Sequence, residues 1–429
     1  MKKLCLFKNN FIIVLFTCVF INNIISARNI SLKPESVFRE YSYKKMISPF
    51  KGEFDYFDSI QVVLNIDDIK DVVDAEIALN FWGGHIGTSD QTFKVNESKK
   101  INFPQPNTPG NPYCYFRCVL GNPPVKIPVE ILKKGENKFT FFCGKQICYG
   151  FNWPLYWINS FTVRVYYNKD LKNCVRGEIR KIKENNIASN LVEFETDVED
   201  PTQVESVEYI GYYKDYDLDG DGNLAGWQYT IDNGIWDRII DRQYISTYNT
   251  SWNNNWVPQQ NGTIKVIAKI NSKNGLSYFT QPIEYNKLKQ PNSKVKIYET
   301  KKLDEYFGVR VGERKQCNIT ITDSLTNAVS AYLVLSSWSA DSEDGATHML
   351  GINGKILAES PGKLHDWAFL KIPIPIEYLK TGDNSFFIYS ETDGHAFEVN
   401  YPGPSILIRY TDEFKCLEKE KEPSFQRIR

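Results

Sequence analysis

The sequence contains one short acidic segment that could bind a metal ion, residues 215–223 (DYDLDGDGN). Alternating carboxylates around a glycine turn present several oxygen atoms to one hard cation, as calcium loops do. Three aspartates take positions 1, 3 and 5 of such a loop, but Gln228 stands at position 12, where a bidentate glutamate is usual. The alternative is an acidic loop without an ion. We predict a solitary structural Ca2+ site with the ligands Asp217, Asp219, Asp221 and Asn223.

A second group of candidate residues is aromatic. Residues 149–157 read YGFNWPLYW and residues 396–402 read AFEVNYP, so each passage places an amide next to an aromatic ring. An exposed Trp or Tyr ring can stack on the apolar face of a sugar, and a neighbouring amide can orient its hydroxyl groups. The alternative interpretation is that these rings close the ends of β-sandwiches. The predicted ligand-binding residues are Asn152, Trp153, Tyr156, Trp157, Asn400 and Tyr401.

Catalytic residues cannot be assigned from the sequence. His348, His365 and His395 could form a metal or acid–base site with Glu398 or Asp393, but these histidines lack the short-range spacing of metal ligands. Carboxylates are plentiful, yet glycoside hydrolysis needs one particular pair across a cleft. The sequence has no nucleophile elbow, no HExxH motif and no phosphate-binding glycine loop. A non-enzymatic role is therefore favoured.

Cysteine usage is typical of an exported protein. Seven cysteines follow residue 27, and four of them lie within 35 residues. In an oxidising compartment this cluster predicts one or two disulfides with the pairing left open, and a zinc site is the alternative. The disulfide candidates are Cys114, Cys118, Cys143 and Cys148.

Residues 1–27 are predicted to be a secretory signal peptide, because Lys2 and Lys3 precede an apolar run over residues 11–21 and Ala27 offers a cleavage point. A signal-anchor helix is the alternative. No later segment has 18 consecutive apolar residues, so we expect a secreted protein without membrane contact after cleavage. If the source is a eukaryote, the protein could be glycosylated at the sequons that begin at Asn29, Asn96, Asn249, Asn261 and Asn318.

The charge balance argues against nucleic acid as a partner. The three lysines of residues 1–27 leave 48 of the 51 basic residues against 52 acidic residues, a net charge of −4 for the remainder. Nucleic-acid binding needs a basic surface to neutralise phosphates. The oligomeric state is left open by the sequence.

The elements that must position these groups belong to an internal repeat. Residues 127–139 (IPVEILKKGENKF) and 374–386 (IPIEYLKTGDNSF) share eight of thirteen residues. Residues 74–82 match 330–338, and residues 160–166 match 405–411, in the same order along the chain. The matched segments alternate apolar and polar residues, which is typical of half-buried strands. We therefore predict two copies of one β-domain, over residues 28–168 and 293–412.

The repeated passage places a glycine, Gly135 or Gly382, where a tight turn needs positive φ, followed by an asparagine that can bond its own backbone. This leucine, turn, Gly-Glu/Asp-Asn, strand passage resembles the galactose-binding-like jelly-roll domains of glycosidases and carbohydrate-binding modules. The resemblance covers about a third of each copy. It implies a jelly-roll β-sandwich and suggests carbohydrate as the ligand, although the fold hosts many roles.

The middle segment, residues 175–288, has a different pattern. Residues 248–270 (YNTSWNNNWVPQQNGTIKVIAKI) and the Lys273-Asn274-Gly275 turn resemble the end of an immunoglobulin-like domain of secreted bacterial glycan-processing proteins. That resemblance implies a spacer, interrupted here by a long acidic insertion over residues 214–247. Residues 413–429 form a charged tail.

The predicted architecture is all-β, with three β-sandwich modules in the order jelly roll, immunoglobulin-like domain, jelly roll. The predicted function is secreted, non-catalytic binding of extracellular polysaccharide or cell-surface glycan. One alternative is a polysaccharide-acting hydrolase or lyase with its site on a jelly-roll face. The other is a structural or adhesive protein that binds another protein.

Overall fold

Alternation of apolar and polar residues produces β-strands throughout the described part of the chain. A computed structural model describes residues 33–47, 59–82, 90–103, 124–143, 157–184, 191–212, 239–254, 256–257, 263–285, 293–300, 303, 307–342, 345–364, 367–394, 396–399 and 403–411. The regular structure in these ranges consists of 26 β-strands and four single-turn 3-10 helices, which confirms the all-β class. No helix within them is long and apolar enough to cross a membrane.

The first copy contributes eight strands and one 3-10 helix (Val129–Ile131). The strands are β1 (Val37–Tyr43), β2 (Ser59–Ile66), β3 (Val72–Trp82), β4 (Thr92–Val95), β5 (Ile101–Asn102), β6 (Val125–Lys126), β7 (Gly135–Phe142) and β8 (Trp157–Tyr167).

The middle segment contributes eight more strands, with 3-10 helices at Lys169–Leu171 and Pro201–Gln203. The strands are β9 (Gly177–Glu184), β10 (Leu191–Val198), β11 (Val204–Tyr212), β12 (Ile239–Gln243), β13 (Thr250–Asn253), β14 (Ile264–Ser272), β15 (Ser277–Phe279) and β16 (Ile283–Tyr285).

The second copy contributes ten strands and the 3-10 helix Ile376–Tyr378. The strands are β17 (Ser293–Glu299), β18 (Gly308–Val309), β19 (Arg314–Ile321), β20 (Ala328–Trp338), β21 (His348–Ile352), β22 (Lys355–Glu359), β23 (Trp367–Ile374), β24 (Gly382–Ser390), β25 (Phe397–Val399) and β26 (Ser405–Thr411).

The strand pairing is the same in the two copies. One sheet of the first copy has the order β2-β7-β4-β5, and its counterpart in the second has the order β19-β24-β21-β22. The other sheet contains β1-β8-β3-β6, matched by β17-β26-β20 with β23 paired to β20. Strands β25 and β18 extend the second copy. The sequence repeat is therefore also a repeat of antiparallel topology.

The apolar cores of the two copies are separate. One cluster of buried side chains draws on residues 37–278, and a second draws on residues 298–410. In the first region, β1 pairs with β15, so the sheet β1-β8-β3-β6 continues into β15-β14-β11-β12 of the middle segment. The middle segment also forms the sheet β13-β10-β9. The domain boundaries between 168 and 175 and between 288 and 293 stay predictions.

A buried asparagine holds the turn that begins β7. Gly135 has φ of 94°, and the side chain of Asn137, fully buried, donates hydrogen bonds to the carbonyl oxygens of Lys133 (2.7 Å) and Gly135 (2.9 Å). The Asn137 Oδ1 atom accepts hydrogen bonds from the Lys133 backbone N–H and from Asn96 Nδ2, both at 3.0 Å. Every donor and acceptor of this buried amide is thereby used, as burial of a polar group requires.

The same asparagine pair recurs in the second copy. Gly382 has φ of 95°, and Asn384, fully buried, bonds Lys380 and Gly382 as Asn137 bonds Lys133 and Gly135. Asn353 Nδ2 donates to Asn384 Oδ1 at 2.8 Å. We call each arrangement the asparagine clasp: Asn96 with Asn137, and Asn353 with Asn384. The positive φ predicted for both glycines is confirmed, and so is the bonding of each asparagine to its own turn.

A tyrosine–aspartate contact that occurs in both copies shows which of their residues are equivalent. Tyr41 donates a hydrogen bond to Asp67 (2.6 Å), and its hydroxyl oxygen lies 3.4 Å from that of Tyr167. The equivalent hydroxyl contacts in the second copy join Tyr298, Asp323 and Tyr410, both at 2.7 Å. Tyr167 is thus equivalent to Tyr410.

This register corrects one equivalence drawn from the sequence. Matching residues 160–166 with 405–411 would make Arg164 equivalent to Arg409. Counting from Tyr167 and Tyr410 instead makes Arg164 equivalent to Leu407, two residues away. A shift of two residues keeps every side chain on the same face of a strand, so the alternation pattern alone does not detect it.

Replacing Asn137 or Asn384 by alanine is expected to lower the free energy of unfolding by roughly 2–4 kcal/mol, because buried backbone groups lose their partners. Urea unfolding of the full chain, followed by fluorescence, measures this change. The control is Asn318→Ala, since Asn318 is an exposed residue of β19 and its replacement should cost less than about 0.5 kcal/mol. Equal losses in all three variants would contradict the role of the clasp.

Candidate functional site

The predicted aromatic segments occupy the same connection in both copies. Residues 143–156 link β7 to β8, and residues 391–404 link β24 to β26 by way of β25. The predicted ligand residues Asn152, Trp153, Tyr156, Asn400 and Tyr401 lie outside the described residues. The segments that carry them therefore connect equivalent strands in the two copies.

Tryptophans mark the strand ends next to these connections. Trp157, the sixth predicted ligand residue, is the first residue of β8 and pairs with Trp82 at the end of β3. In the second copy, Trp338 ends β20 and pairs with Trp367 on one side and Glu398 on the other. Trp338 is only 8% exposed and is therefore a packing residue.

Polar side chains are concentrated beside Trp338. Ser336, Ser337 and Ser339 are fully buried, and Glu398 is nearly so. Interior hydroxyl and carboxylate groups at the end of a sheet give this end of the second copy a polar character that its core lacks. Asn400 and Tyr401 directly follow β25, which carries Glu398.

The histidine site considered from the sequence is only partly visible. His348 is buried, its Nδ1 lies 3.0 Å from Ser390 Oγ, and its ring packs against Phe397. His365 and His395 lie outside the described residues. No three His, Cys, Asp or Glu side chains come together as a metal-binding group within the described ranges.

The predicted calcium ligands, Asp217, Asp219, Asp221 and Asn223, also lie outside the described residues. So do the disulfide candidates Cys114, Cys118 and Cys148. Cys143 is buried at the end of β7, and no disulfide joins any two of the described cysteines 143, 174 and 317. The calcium site and the disulfides stay predictions.

The structure reveals a charged row that the sequence analysis missed. Six side chains of alternating sign cross one face of the nine-stranded sheet in the order Glu76, Arg164, Glu40, Lys269, Glu208 and Arg242. The first three stand opposite one another on β3, β8 and β1. The last three stand opposite one another on β14, β11 and β12.

Glu40 joins the two halves of this charged row. Its carboxylate accepts hydrogen bonds from Arg164 Nη2 at 2.6 Å and from Lys269 Nζ at 2.8 Å. The side chains of Arg164 and Lys269 are 1% and 6% exposed. The Arg164 guanidinium also lies over the rings of Phe38 and Phe279, 4.6 and 5.1 Å from their centroids. The row therefore ties the first copy to the middle segment.

The electrostatics of the row keep its central carboxylate ionised. Burial alone would raise the pKa of Glu40, but the attraction of Lys269 and Arg164 outweighs it and lowers the pKa to about 2. Burial and the adjacent Glu76 carboxylate raise the pKa of Tyr166, whose neutral hydroxyl donates a hydrogen bond to Glu76. A carboxylate that is ionised and paired with two cations does not donate a proton at neutral pH.

Only part of this row could be found from the sequence. Glu76 and Arg164 occupy the polar positions of two alternating segments, and this predicts that both side chains face away from the main apolar core. The sequence does not show that Arg164 meets Glu40 or that Glu40 meets Lys269, because these pairs are 124 and 229 residues apart and only strand pairing brings them together.

The chain has only weak similarity to known proteins. No protein-family model matches the chain, and no curated protein matches it. Similar solved structures include a glycoside hydrolase family 86 enzyme in complex with neoagarooctaose, at 11% identity and a TM-score of 0.25, covering 56% of this chain and 35% of that chain. The present chain thus spans about a third of the length of that enzyme.

Two further solved structures align with this chain over most of its length and most of their own. PNGase F, a glycosylasparaginase from Flavobacterium meningosepticum, is 9% identical with a TM-score of 0.22, covering 87% of this chain and 96% of that chain. SGBP-B, from a complex xyloglucan utilization locus in Bacteroides uniformis, is 9% identical with a TM-score of 0.18, covering 86% and 97%. All three proteins are associated with carbohydrates, but TM-scores this low carry no argument about the function of this chain.

The substitution Glu40→Gln is expected to destabilise the full chain by on the order of 3 kcal/mol at pH 7, because Arg164 and Lys269 lose their shared carboxylate. The folded-state pKa of about 2 lies below the ordinary value of 4.5, so Glu40 contributes stability above pH 4.5. That contribution is lost as the pH falls from about 4.5 towards 2. Urea unfolding at pH 7 and at pH 3 should show the difference between wild type and variant shrinking in acid.

The control for this measurement is Glu178→Gln. Glu178 pairs with Arg180 at the surface, and both side chains are more than 60% exposed, so the unfolding midpoint should hardly change. A Glu40→Gln variant as stable as wild type at pH 7 would contradict the importance of the charged row.

Proposed function

We propose that this chain is a secreted, non-catalytic glycan-binding protein, and that its binding residues are Asn152, Trp153, Tyr156, Trp157, Asn400 and Tyr401. One observation carries the proposal: the aromatic segments of the two copies occupy the same connection, between β7 and β8 and between β24 and β26. Connections at the end of a rigid sheet are common positions for recognition residues. Duplicated aromatic connections would offer two contacts to one polymer.

The chemistry of the segments suits carbohydrate. A pyranose has an apolar face that stacks on Trp or Tyr rings. Its hydroxyl groups accept hydrogen bonds from amide N–H groups and donate them to amide oxygens. Trp153 with Asn152, and Tyr401 with Asn400, supply both groups in each copy. The resemblance of the repeated turn passage to galactose-binding-like jelly-roll domains supports the same ligand class.

Five described carboxyl groups have pKa values that ion pairs and hydrogen bonds lower, and these groups stabilise the fold. Glu40, Asp67, Asp68, Asp74 and Asp323 have pKa values that depart from the ordinary ones, and all five are lowered. These five groups are suited to holding the fold together.

A glycan array or polysaccharide pull-down should show binding that falls by about tenfold or more for Trp153→Ala and for Tyr401→Ala, because each variant loses one stacking ring. The control is Tyr244→Ala, since Tyr244 is a 64% exposed tyrosine after β12 in the middle segment. Release of reducing ends or unsaturated products from the same polysaccharides would favour an enzyme. Absence of binding to every glycan would favour an adhesive or structural role.

A structural Ca2+ ion in residues 215–223 is part of this proposal. The melting temperature of the full chain should rise when Ca2+ replaces a chelator, because a ligand that binds only the folded state stabilises it. The variant Asp219→Asn should lose this rise. The control Asp393→Asn, at an exposed aspartate of the second copy, should retain it. An unchanged melting temperature of the wild-type chain would contradict the calcium site.

A further inference from the structure

Two aromatic rings and two cations converge on the outer face of the second copy. Trp256, from the middle segment, packs edge-on against Tyr332 with 4.5 Å between ring centroids. Lys371 Nζ lies 4.5 Å from the Tyr332 centroid and 5.3 Å from that of Trp256. The Arg409 guanidinium lies 5.3 Å from the same Trp256 centroid. We call these four residues the aromatic–cation cluster.

The sheet itself places the two cations on either side of Tyr332. Tyr332 lies on β20, where Leu333 and Leu335 point into the apolar core, so Tyr332 faces away from it. On β23, Tyr332 pairs with Pro373, and Lys371 lies two residues from Pro373. On β26, Tyr332 pairs with Leu407, and Arg409 lies two residues from Leu407, towards the opposite end of β20. These diagonal positions are within reach of long side chains.

The aromatic–cation cluster is specific to the second copy. By the structural register, Tyr332 is equivalent to Glu76, Arg409 to Tyr166, and Lys371 to Pro124. The first copy uses the corresponding face for its charged row, whereas the second copy carries two positive charges and the Tyr332 ring there. The two copies share their strand pairing but carry different residues on this face. In the second copy these residues concentrate positive charge.

The cations of the cluster are placed to meet an anionic group. Lys371 is exposed, and Arg409, Trp256 and Tyr332 are half-buried, so all four have surface in contact with solvent. Arg409 forms no ion pair with any described carboxylate, and its guanidinium group lies over the Trp256 ring. The guanidinium fork fits a carboxylate or sulfate in two hydrogen bonds, and an ammonium group adds a point charge.

We propose that the aromatic–cation cluster is a subsite for an acidic sugar, one that carries a carboxylate or a sulfate ester. Arg409 and Lys371 bind the anionic group, and Trp256 and Tyr332 supply the apolar surface against which the sugar ring lies. The rest of the chain carries a net negative charge, so selectivity for an acidic glycan has to come from a local site such as this. This inference rests on the proposed function and names its ligand class.

The test measures the affinity of the full chain for two matched pairs of polymers. Polygalacturonate is compared with methyl-esterified pectin to test a carboxylate, and dextran sulfate is compared with dextran to test a sulfate. We expect binding at least about tenfold tighter for the charged member of at least one pair, weakening as salt is added. The pair that responds identifies the anionic group.

The variants Arg409→Gln and Lys371→Met should each reduce binding of the charged polymer about fivefold or more. Two cation–ring pairs on the other sheet of the same copy provide matched controls: Arg314→Gln, where Arg314 lies over Phe387, and Lys355→Met, where Lys355 lies over Tyr378. These controls should leave binding unchanged. The midpoint of thermal unfolding confirms that each variant is folded.

The outcomes separate the two proposals. If Trp153 and Tyr401 variants weaken binding of neutral glycans while Arg409→Gln and Lys371→Met bind as wild type, the acidic subsite is wrong and the proposed function stands. If the four cation variants weaken acidic-polymer binding equally, the attraction is a general charge effect and the subsite is again wrong. If Arg409→Gln and Lys371→Met abolish binding but Trp153→Ala and Tyr401→Ala do not, the subsite stands and the proposed location of binding fails.

Discussion

The alternation of side chains along each strand is the constraint on which this structure depends. One face of each sheet must be apolar because it meets the core. Both copies keep the same turns and strand pairings because these place the apolar residues on that face. The opposite face of the first copy is also buried, but it packs a smaller apolar cluster around Phe38 and Phe279 together with charged side chains. That face carries alternating charges in the first copy and the aromatic–cation cluster in the second, so these differences between the copies lie outside the two main apolar cores.

The shared framework is held by polar groups as well as by apolar packing. The asparagine clasp satisfies a fully buried amide at the start of β7 and of β24, and the tyrosine–aspartate contacts reproduce one another in both copies. Buried polar networks that are completely satisfied specify one arrangement, because any alternative would leave a donor or an acceptor unpaired. This explains how two copies with largely different residues have the same strand order.

The outer faces couple the copies to the middle segment by two different interactions. In the first copy, Glu40 binds Lys269 across the junction of β1 and the middle strands, and the pairing of β1 with β15 extends one sheet over both regions. In the second copy, the contact is Trp256 on Tyr332, and it brings a ring from the middle segment to two cations. An ion pair buried on a continuous sheet favours rigidity, whereas a half-buried ring beside the exposed Lys371 and the half-buried Arg409 leaves surface for a ligand.

The sequence by itself determined the all-β class, the duplication, and the turns at Gly135 and Gly382, because period-two alternation and positive-φ turn residues are local signals. It also located the aromatic segments that the proposed function uses. The equivalence of Arg164 with Leu407, the charged row around Glu40, and the approach of Trp256 to Arg409 were decided only by the tertiary structure. Each of these depends on which distant strands pair and in which register, and a shift of two residues leaves the local pattern unchanged while it changes every cross-strand neighbour.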